Sequence, residues 1–287
     1  MKAMRLPWTL FFAYSCAPPA ALPPSALPEA NPPAATPEPA RPPATEAAPT
    51  ASSAQQLDPR ARADAIVAAP DRSAEDRALD EGRSPAKLLT FFGIGPGMRV
   101  AEISAGGGYT AELLARAVGQ TGTVYGQNAK FVLERFAEKP WSARLAKPVM
   151  APVVRVDREF SDPLPPEAKQ LDVVLIVLFY HDTVWQKADR DAMNRRIFVA
   201  LKPGGIYGVV DHSAAVGAGQ SATESLHRIE ESVVKQEIER AGFVLDAQAD
   251  FLRNAEDARD WNASPRVAAE RRGHSDRFVL RFKKPGN

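Results

Sequence analysis

The sequence predicts an α/β fold with a doubly wound, mostly parallel sheet. Short apolar runs alternate with amphipathic helical segments, a glycine cluster follows the first of these runs, and the last two strand-like segments have no clear helix between them. Strands that alternate with helices are typical of parallel sheets, because each crossover must return over the sheet. The final pair predicts an antiparallel closure. A length of 287 residues suits one such domain plus an extension.

An export signal is predicted over residues 1–16. Lys2 and Arg5 precede a short apolar stretch, 6–14, and Cys16, the only cysteine, follows closely. The stretch is too short to cross a bilayer, which takes about 20 residues, but it suits the apolar part of a signal peptide. Cys16 stands where bacterial lipoproteins carry their lipidated residue. We therefore expect a protein of the bacterial envelope, anchored through Cys16, or a cytoplasmic one if these residues are not a signal.

The composition separates a tether from a folded domain. Residues 17–56 are rich in Ala and Pro and contain almost no large apolar side chains, so they are predicted to be a disordered linker. The folded domain is expected over 57–287. Its lack of cysteine excludes a disulfide framework. The net charge of +1 and the absence of a basic stripe with interleaved aromatics argue against a nucleic-acid partner.

The domain is predicted to begin with short helices. Ala61–Ala69 is a helix stopped by Pro70, and a further helix starts near Pro85. Ser73 is a candidate N-cap of the helix between them, which Gly82 would end. The charged residues of that segment are expected to form a lid or a solvated, ion-paired face; they are Arg72, Asp76, Asp80 and Arg83.

Alternating elements fill the rest of the domain. The predicted strands are Arg99–Ser104, Thr123–Gly126, Val153–Val156, Val173–Leu178, Ile206–Asp211, Phe243–Phe251 and Arg277–Lys283. The predicted helices are Tyr109–Val118, Lys130–Ala137, Arg190–Leu201 and Ser232–Ala241. This pattern predicts crossover units that bring the carboxyl ends of the parallel strands to one edge.

The most informative segment joins the first strand to its helix. An acid, Glu102, lies in the strand, and Gly106, Gly107 and Gly108 form the turn. Glycine lets a ligand approach the backbone closely, and the helix start behind it offers free N–H groups and the positive end of a dipole. A nucleotide-type site is therefore predicted at the carboxyl edge of the sheet. The spacing Gly106-x-Gly108-x-x-Ala111 also satisfies a dinucleotide fingerprint, so an NAD-dependent oxidoreductase is an alternative.

The order acid-x-x-x-Gly-x-Gly, starting at Glu102, resembles the first motif of class I S-adenosylmethionine-dependent methyltransferases. Leu201–Gly205 reads Leu-Lys-Pro-Gly-Gly, similar to the turn before the fifth strand of that family, and the paired C-terminal strands match its tail. The resemblance covers about residues 60–285. Four further segments, DRSAEDRALDEGR, FYHD, VVDHSA and LHRIE, resemble a subgroup of exported bacterial predicted methyltransferases. The resemblance implies a Rossmann-like sheet of seven strands and S-adenosylmethionine as the cofactor.

The resemblance also implies cofactor-binding positions. Glu102 would orient the glycine loop and the methionine amino group. Residues 104–108 (Ser104, Ala105, Gly106, Gly107 and Gly108) would surround the methionyl and ribose portions, with Ser104 in place of a common glycine. Gln127 and Asn128 stand where the family carries an acid for the ribose hydroxyls, and an amide can also bond to a diol. Asp157, after the third strand, would meet the adenine amino group.

The predicted chemistry is an in-line displacement that moves the methyl group to a small-molecule acceptor. Tyr180, His181 and Asp182 follow the fourth strand, and Asp211 and His212 end the fifth, so they should share one edge of the sheet. His181 is expected to accept a proton and Tyr180 to orient the acceptor. His227, the third histidine of this rim, is expected to fold back over it. Such residues can also ligate metals, but their spacing is not that of a compact metal motif, so no metal is predicted.

A second hypothesis comes from a conflict between the implied cofactor and the predicted export signal. S-adenosylmethionine is made in the cytoplasm, whereas the start of the chain predicts export. A fold does not by itself establish activity. A non-catalytic, envelope-anchored binding protein on the same scaffold is therefore the alternative from another class.

Overall fold

The structure is a computed structural model that describes residues 58–286. The predicted signal, Cys16 and the predicted linker lie outside these residues. Among the helices of 58–286, none combines the length and the apolar character that a membrane span needs.

A seven-stranded sheet organises the domain in the order β3-β2-β1-β4-β5-β7-β6. The strands are β1 (Arg99–Ile103), β2 (Thr123–Asn128), β3 (Val153–Asp157), β4 (Leu171–Val177), β5 (Leu201–His212), β6 (Val244–Ala249) and β7 (Arg277–Lys283). Strand β7 pairs antiparallel with both β5 and β6, and every other pair is parallel. The predicted fold class, a mostly parallel α/β sheet with an antiparallel C-terminal pair, is confirmed.

Eleven α-helices are present within residues 58–286. They are α1 (Pro59–Val67), α2 (Ala74–Arg77), α3 (Asp80–Arg83), α4 (Pro85–Phe91), α5 (Tyr109–Val118), α6 (Lys130–Val132), α7 (Glu138–Leu145), α8 (Tyr180–Trp185), α9 (Arg190–Ala200), α10 (Thr223–Leu226) and α11 (Glu231–Arg240). A π-helical turn, Leu133–Ala137, joins α6 to α7. Short 3₁₀ turns lie at Pro148–Met150 and Ala269–Arg271.

The connectivity of the sheet determines where a site can form. From β1 the chain proceeds outward through β2 and β3, and it then returns to place β4 on the other side of β1. The reversal opens a crevice beyond the carboxyl ends of β1 and β4, where ligands bind in open α/β sheets. The strands beneath it are apolar and buried, as shown by Ile103, Leu175 and Val209, each 0% exposed.

Four elements differ from the sequence-based expectation. Glu138–Leu145 and Tyr180–Trp185 are helices that were not predicted, because both are short and mix polar with aromatic residues. The Leu-Lys-Pro-Gly-Gly segment is a bulge inside β5: Leu201 pairs with Leu171, while Ile206 pairs with Val173. Gly82 lies within α3 rather than ending a helix.

The charged N-terminal segment is not a solvated face. Asp76 forms two hydrogen bonds of 2.6 and 2.9 Å with the guanidinium of Arg144 on α7, and Asp80 forms two of 2.6 and 2.7 Å with Arg72. Both Arg72 and Asp76 are buried. Arg144 also donates to the Gly107 carbonyl at 2.7 Å, so this segment is tied through α7 to the glycine loop.

We expect Asp76→Ala to lower the free energy of unfolding by about 3 kcal/mol, because it leaves the Arg144 charge partly buried with one carboxylate fewer. Burial raises the pKa of Asp76, but the hydrogen bonds and charge of Arg144 lower it further. This contribution is therefore present above the ordinary carboxyl pKa and is lost as the pH falls through the lowered value. Urea unfolding at pH 7 measures the loss.

The control for this prediction is Glu75→Ala, one residue away and exposed. It should change the free energy of unfolding by less than about 0.5 kcal/mol. Equal stabilities of the two variants would show that the ion pair with Arg144 does not stabilise the domain.

Candidate functional site

The glycine loop leaves β1 through a run of left-handed residues. Ser104, Gly106 and Gly108 have φ angles of 58°, 55° and 83°. A serine in this region is strained relative to glycine, and such strain often occurs at ligand sites. The three residues turn the chain sharply from β1 into the N-terminus of α5.

The three glycines of the loop serve different purposes. A Cβ added at Gly106 would meet nothing within 4 Å, whereas one at Gly108 would lie 2.5 Å from the ring of Trp141. At Gly107 the nearest atom, in Pro140, would be 3.4 Å away. Gly108 is therefore required for packing, and Gly106 is the glycine of this loop that faces open space.

Glu102 carries an unsatisfied carboxylate oxygen beside the loop. Its side chain is buried, and its Oε2 atom has no hydrogen-bond partner; the Oγ atom of Ser104 has none either. Burial raises the pKa of Glu102 to about 8, although hydrogen bonds from Thr110 and the Ala111 amide and the charge of Arg83 lower it. Buried polar atoms are almost always paired, so these two indicate a ligand position.

Arg83 contributes the opposite charge. Its guanidinium lies 4.4 Å from the centre of the Tyr109 ring, and the structure records no hydrogen bond or ion pair for it within residues 58–286. It lines a narrow cavity with Tyr109, Thr110 and Val177. Burial lowers the pKa of Arg83, while the nearby Glu102 charge raises it. The sequence predicts a lid or a solvated face for Arg83, whereas its position in this cavity depends on long-range packing that the sequence does not contain.

The amides at the predicted ribose position hold the loop. Asn128 accepts from the Gly106 amide at 2.8 Å and donates to the Gly106 carbonyl at 3.2 Å. Gln127 accepts from the Ser104 amide at 2.9 Å, and its Nε2 atom donates to the Arg158 carbonyl at 2.5 Å. Ala105 donates its amide to the Gln127 carbonyl. These side chains are fully buried and fix the loop from below.

Asp157 ends β3 next to Asn128 in the sheet. Its two carboxylate oxygens accept from Nε of Arg155 at 2.9 and 3.0 Å, and its side chain is about half exposed. The expected contact of Asp157 with adenine stays a prediction. A ligand would compete with Arg155 for this carboxylate.

The predicted rim of histidines forms beyond the ends of β4 and β5. Nδ1 of His181 lies 2.7 Å from Asp211, and its Nε2 lies 3.1 Å from Asp182 and 3.3 Å from Nδ1 of His227. His227 lies 2.9 Å from the same Asp182 oxygen, Oδ1. His212 stands beside His181, with ring centres 5.7 Å apart. The three histidines and two aspartates therefore lie together, as their positions after the strands predicted.

His181 is not arranged as a free base. Burial lowers its pKa, but Asp211 and Asp182 together raise it to about 10, so the ring is an imidazolium at neutral pH. Burial lowers the pKa of His212 well below its usual value, and its Nδ1 contacts the Ser275 hydroxyl at 2.7 Å. The prediction that His181 accepts a proton does not hold for this charge state, because both of its ring nitrogens face carboxylates.

Tyr180 lies away from the rim. Its side chain is fully buried, and its hydroxyl donates to Glu237 at 2.8 Å and accepts from Asn194 at 3.0 Å. The prediction that Tyr180 orients an acceptor is therefore corrected. The first turn of α8 points neighbouring residues in different directions, and the sequence suggested a loop there instead.

Comparison with known proteins agrees with this architecture. No family model matches the sequence, and no curated protein matches it. Among solved structures, a SAM-dependent methyltransferase from Aquifex aeolicus aligns with a TM-score of 0.52 and 17% identity, covering 80% of this chain and 100% of that one. The [4+2]-cyclase SpnF aligns with a TM-score of 0.51 and 16% identity, covering 71% and 82%. This chain has the fold of SAM-dependent methyltransferases.

Proposed function

We propose that this protein binds S-adenosylmethionine at the glycine loop and transfers its methyl group to a small-molecule acceptor. The observation that carries the proposal is the buried, unpaired Oε2 of Glu102 in β1, in a methyltransferase fold whose glycine loop leaves open space at Gly106. The membership of an exported bacterial subgroup and the anchor at Cys16 are proposed on the sequence alone.

The charged side chains suit the methionyl end of this cofactor. A free amino acid end carries an ammonium and a carboxylate, and the protein offers an unpaired carboxyl oxygen on the buried Glu102 and the cation of Arg83, for which no hydrogen bond or ion pair is recorded within residues 58–286. The two charges lie close enough for each to shift the pKa of the other. Glu102 would accept from the ammonium and Arg83 would donate to the carboxylate. Matched charges of this kind remove the cost of leaving either one buried alone.

The cofactor supplies an electrophilic methyl group on a sulfonium, so the task of the protein is to position the two reactants. The histidine rim lies at the same edge as the loop, since β1, β4 and β5 are neighbours in the sheet. Adjacent strands are about 4.8 Å apart, so the two places lie within roughly 10–15 Å. His227, Asp182, His181 and His212 are therefore proposed to surround the acceptor, while Tyr180 supports α8.

A non-catalytic binding function is the second candidate, because one observation favours it. Asn128 is fully buried and both of its polar atoms bond to Gly106, so its side chain supports the loop rather than facing a ligand. An NAD-dependent oxidoreductase is disfavoured for the same reason, since it needs an acid free for the adenosine ribose at that strand end.

Calorimetric titration with S-adenosylhomocysteine and with NAD⁺ tests the proposal. We expect micromolar or tighter binding of S-adenosylhomocysteine and none of NAD⁺. If neither compound binds to the folded protein, the methyltransferase proposal fails and the non-catalytic function is favoured. Binding of NAD⁺ alone would support the oxidoreductase.

A further inference from the structure

We propose that His181, Asp182 and His227 form a binding site for a divalent transition-metal ion. Metal chemistry was not predicted from the sequence, because His181 and His227 are far apart along the chain. The fold brings Nε2 of His181, Oδ1 of Asp182 and Nδ1 of His227 together beyond the carboxyl ends of β4 and β5. Two neutral imidazoles and one carboxylate are a donor set suited to zinc, iron or cobalt, and a bound ion would displace the proton from Nε2 of His181, as metal binding to histidine does.

The distances between the three donor atoms allow all three to bind one metal ion. They are 2.9, 3.1 and 3.3 Å, and they form a nearly equilateral triangle. An ion about 2.1 Å from each atom, a usual metal–ligand distance, would sit roughly 1 Å above the triangle with angles of about 87° to 104°. These angles run from near the octahedral value of about 90° to just below the tetrahedral value of about 109°. The three donors would occupy one face of the ion and leave the other face open.

Neighbouring side chains form hydrogen bonds to the donor residues, as the residues around a metal site do. Asp211 accepts from Nδ1 of His181 at 2.7 Å and from its backbone amide at 2.7 Å, which orients the ring and directs Nε2 to the cluster. Trp185 donates to Oδ1 of Asp182 at 2.7 Å. A carboxylate behind a ligating histidine fixes the tautomer and strengthens the ligand. A histidine that lies on the surface and binds no ligand does not need this support.

The backbone at His227 adds an independent sign. His227 follows α10 and has a φ of 51°, in the left-handed region that residues other than glycine rarely adopt. This conformation folds His227 back over α8, so that its Nδ1 faces Asp182 while about a quarter of its side chain remains exposed. Solvent and small molecules can therefore reach the open face of the ion. Backbone strain of this kind is often found at binding sites.

The ligand of the open face would be an oxygen of the acceptor. A bound divalent ion lowers the pKa of a coordinated hydroxyl, so it would make an acceptor oxygen a better nucleophile. This role rests on the proposed methyl transfer, whereas metal binding itself does not. The experiment therefore uses the protein without cofactor or acceptor.

Two titrations test the site. Binding of Co²⁺ is monitored by its visible absorption, and binding of Zn²⁺ is measured by calorimetry. We expect one equivalent to bind the wild type. His227→Ala and Asp182→Asn should weaken binding at least about 100-fold, and Asp211→Asn, which keeps all three donors, by about 10- to 100-fold. His274→Ala is the matched control, because it removes the one histidine outside the rim, which is exposed, and it should bind as the wild type does.

Circular dichroism and thermal unfolding of each variant confirm that it is folded before titration. Absence of stoichiometric binding to the folded wild type would overturn the proposal. So would equal affinities of wild type and His227→Ala, or an equal loss in His274→Ala. Binding of S-adenosylhomocysteine is measured separately, so failure of the metal site and failure of the cofactor site give different results.

Discussion

Gly106→Asn is expected to weaken binding of S-adenosylhomocysteine by at least about 100-fold. This loss corresponds to the free-energy cost of inserting extra atoms into a packed site. A side chain at this position would enter the space that the proposed cofactor occupies, because nothing within 4 Å limits it now. Asparagine is the appropriate replacement, since it tolerates the left-handed φ of 55° better than most side chains. Calorimetric titration gives the affinity directly.

The matched control for this variant is Gly93→Asn. Gly93 has φ of 69°, and a Cβ there would also meet nothing within 4 Å, but Gly93 follows α4 and lies outside the loop. The two variants should have similar melting temperatures and should differ in affinity. Equal affinities would show that the space over Gly106 is not the cofactor site, whatever the fold suggests.

Glu102→Gln is expected to weaken binding by about 30-fold, because an amide replaces the charged acceptor proposed for the methionyl ammonium. The pH dependence separates this role from simple packing. With a pKa of about 8, the carboxyl is mostly protonated at pH 6 in the free protein. Binding of a cation favours the ionised form, so a proton must leave and the affinity should rise with pH.

Between pH 6 and 7.5 this rise should approach about tenfold per pH unit in the wild type, over a range where an α-amino group stays mostly protonated. Glu102→Gln has no carboxyl to ionise at this position and should lack this rise. Affinities measured by calorimetry in two buffers of different ionisation enthalpy also count the released protons. Identical pH profiles for the two proteins would remove Glu102 from cofactor binding.

The sheet and the position of the site were predictable because they depend on local periodicity and on connection rules. Tyr109–Val118 and Arg277–Lys283 have the predicted bounds, and His181 and His212 share the edge expected from their places after β4 and β5. What each side chain does there was less predictable. Tyr180 and His181 are neighbours in sequence, yet one is bonded to Glu237 in the core and the other to Asp211 on the rim.

The partners of the charged and polar residues were also not predictable from the sequence. The segment 71–83 has the composition of a solvated helix, but Asp76 finds Arg144 across a separation of 68 residues. Asn128 was assigned to a ligand from its position after β2, whereas its bonds are to Gly106. Partners that are distant along the chain decide which polar groups are satisfied, and a single sequence does not contain those distances. Only the fold reveals that Oε2 of Glu102 is left unpaired.

The N-terminal helices of the domain contact β7, and one such contact lies next to Arg83. Arg277, at the start of β7, donates to the carbonyls of Gly82 and Gly273, and Gly82 and Gly273 approach so closely that a Cβ on Gly82 would lie 2.8 Å from the Gly273 backbone. Arg83 is the residue next to this junction. The crevice is therefore completed only when the last strand has been synthesised and added to the sheet, so a ribosome-bound chain that lacks it would present an unfinished pocket.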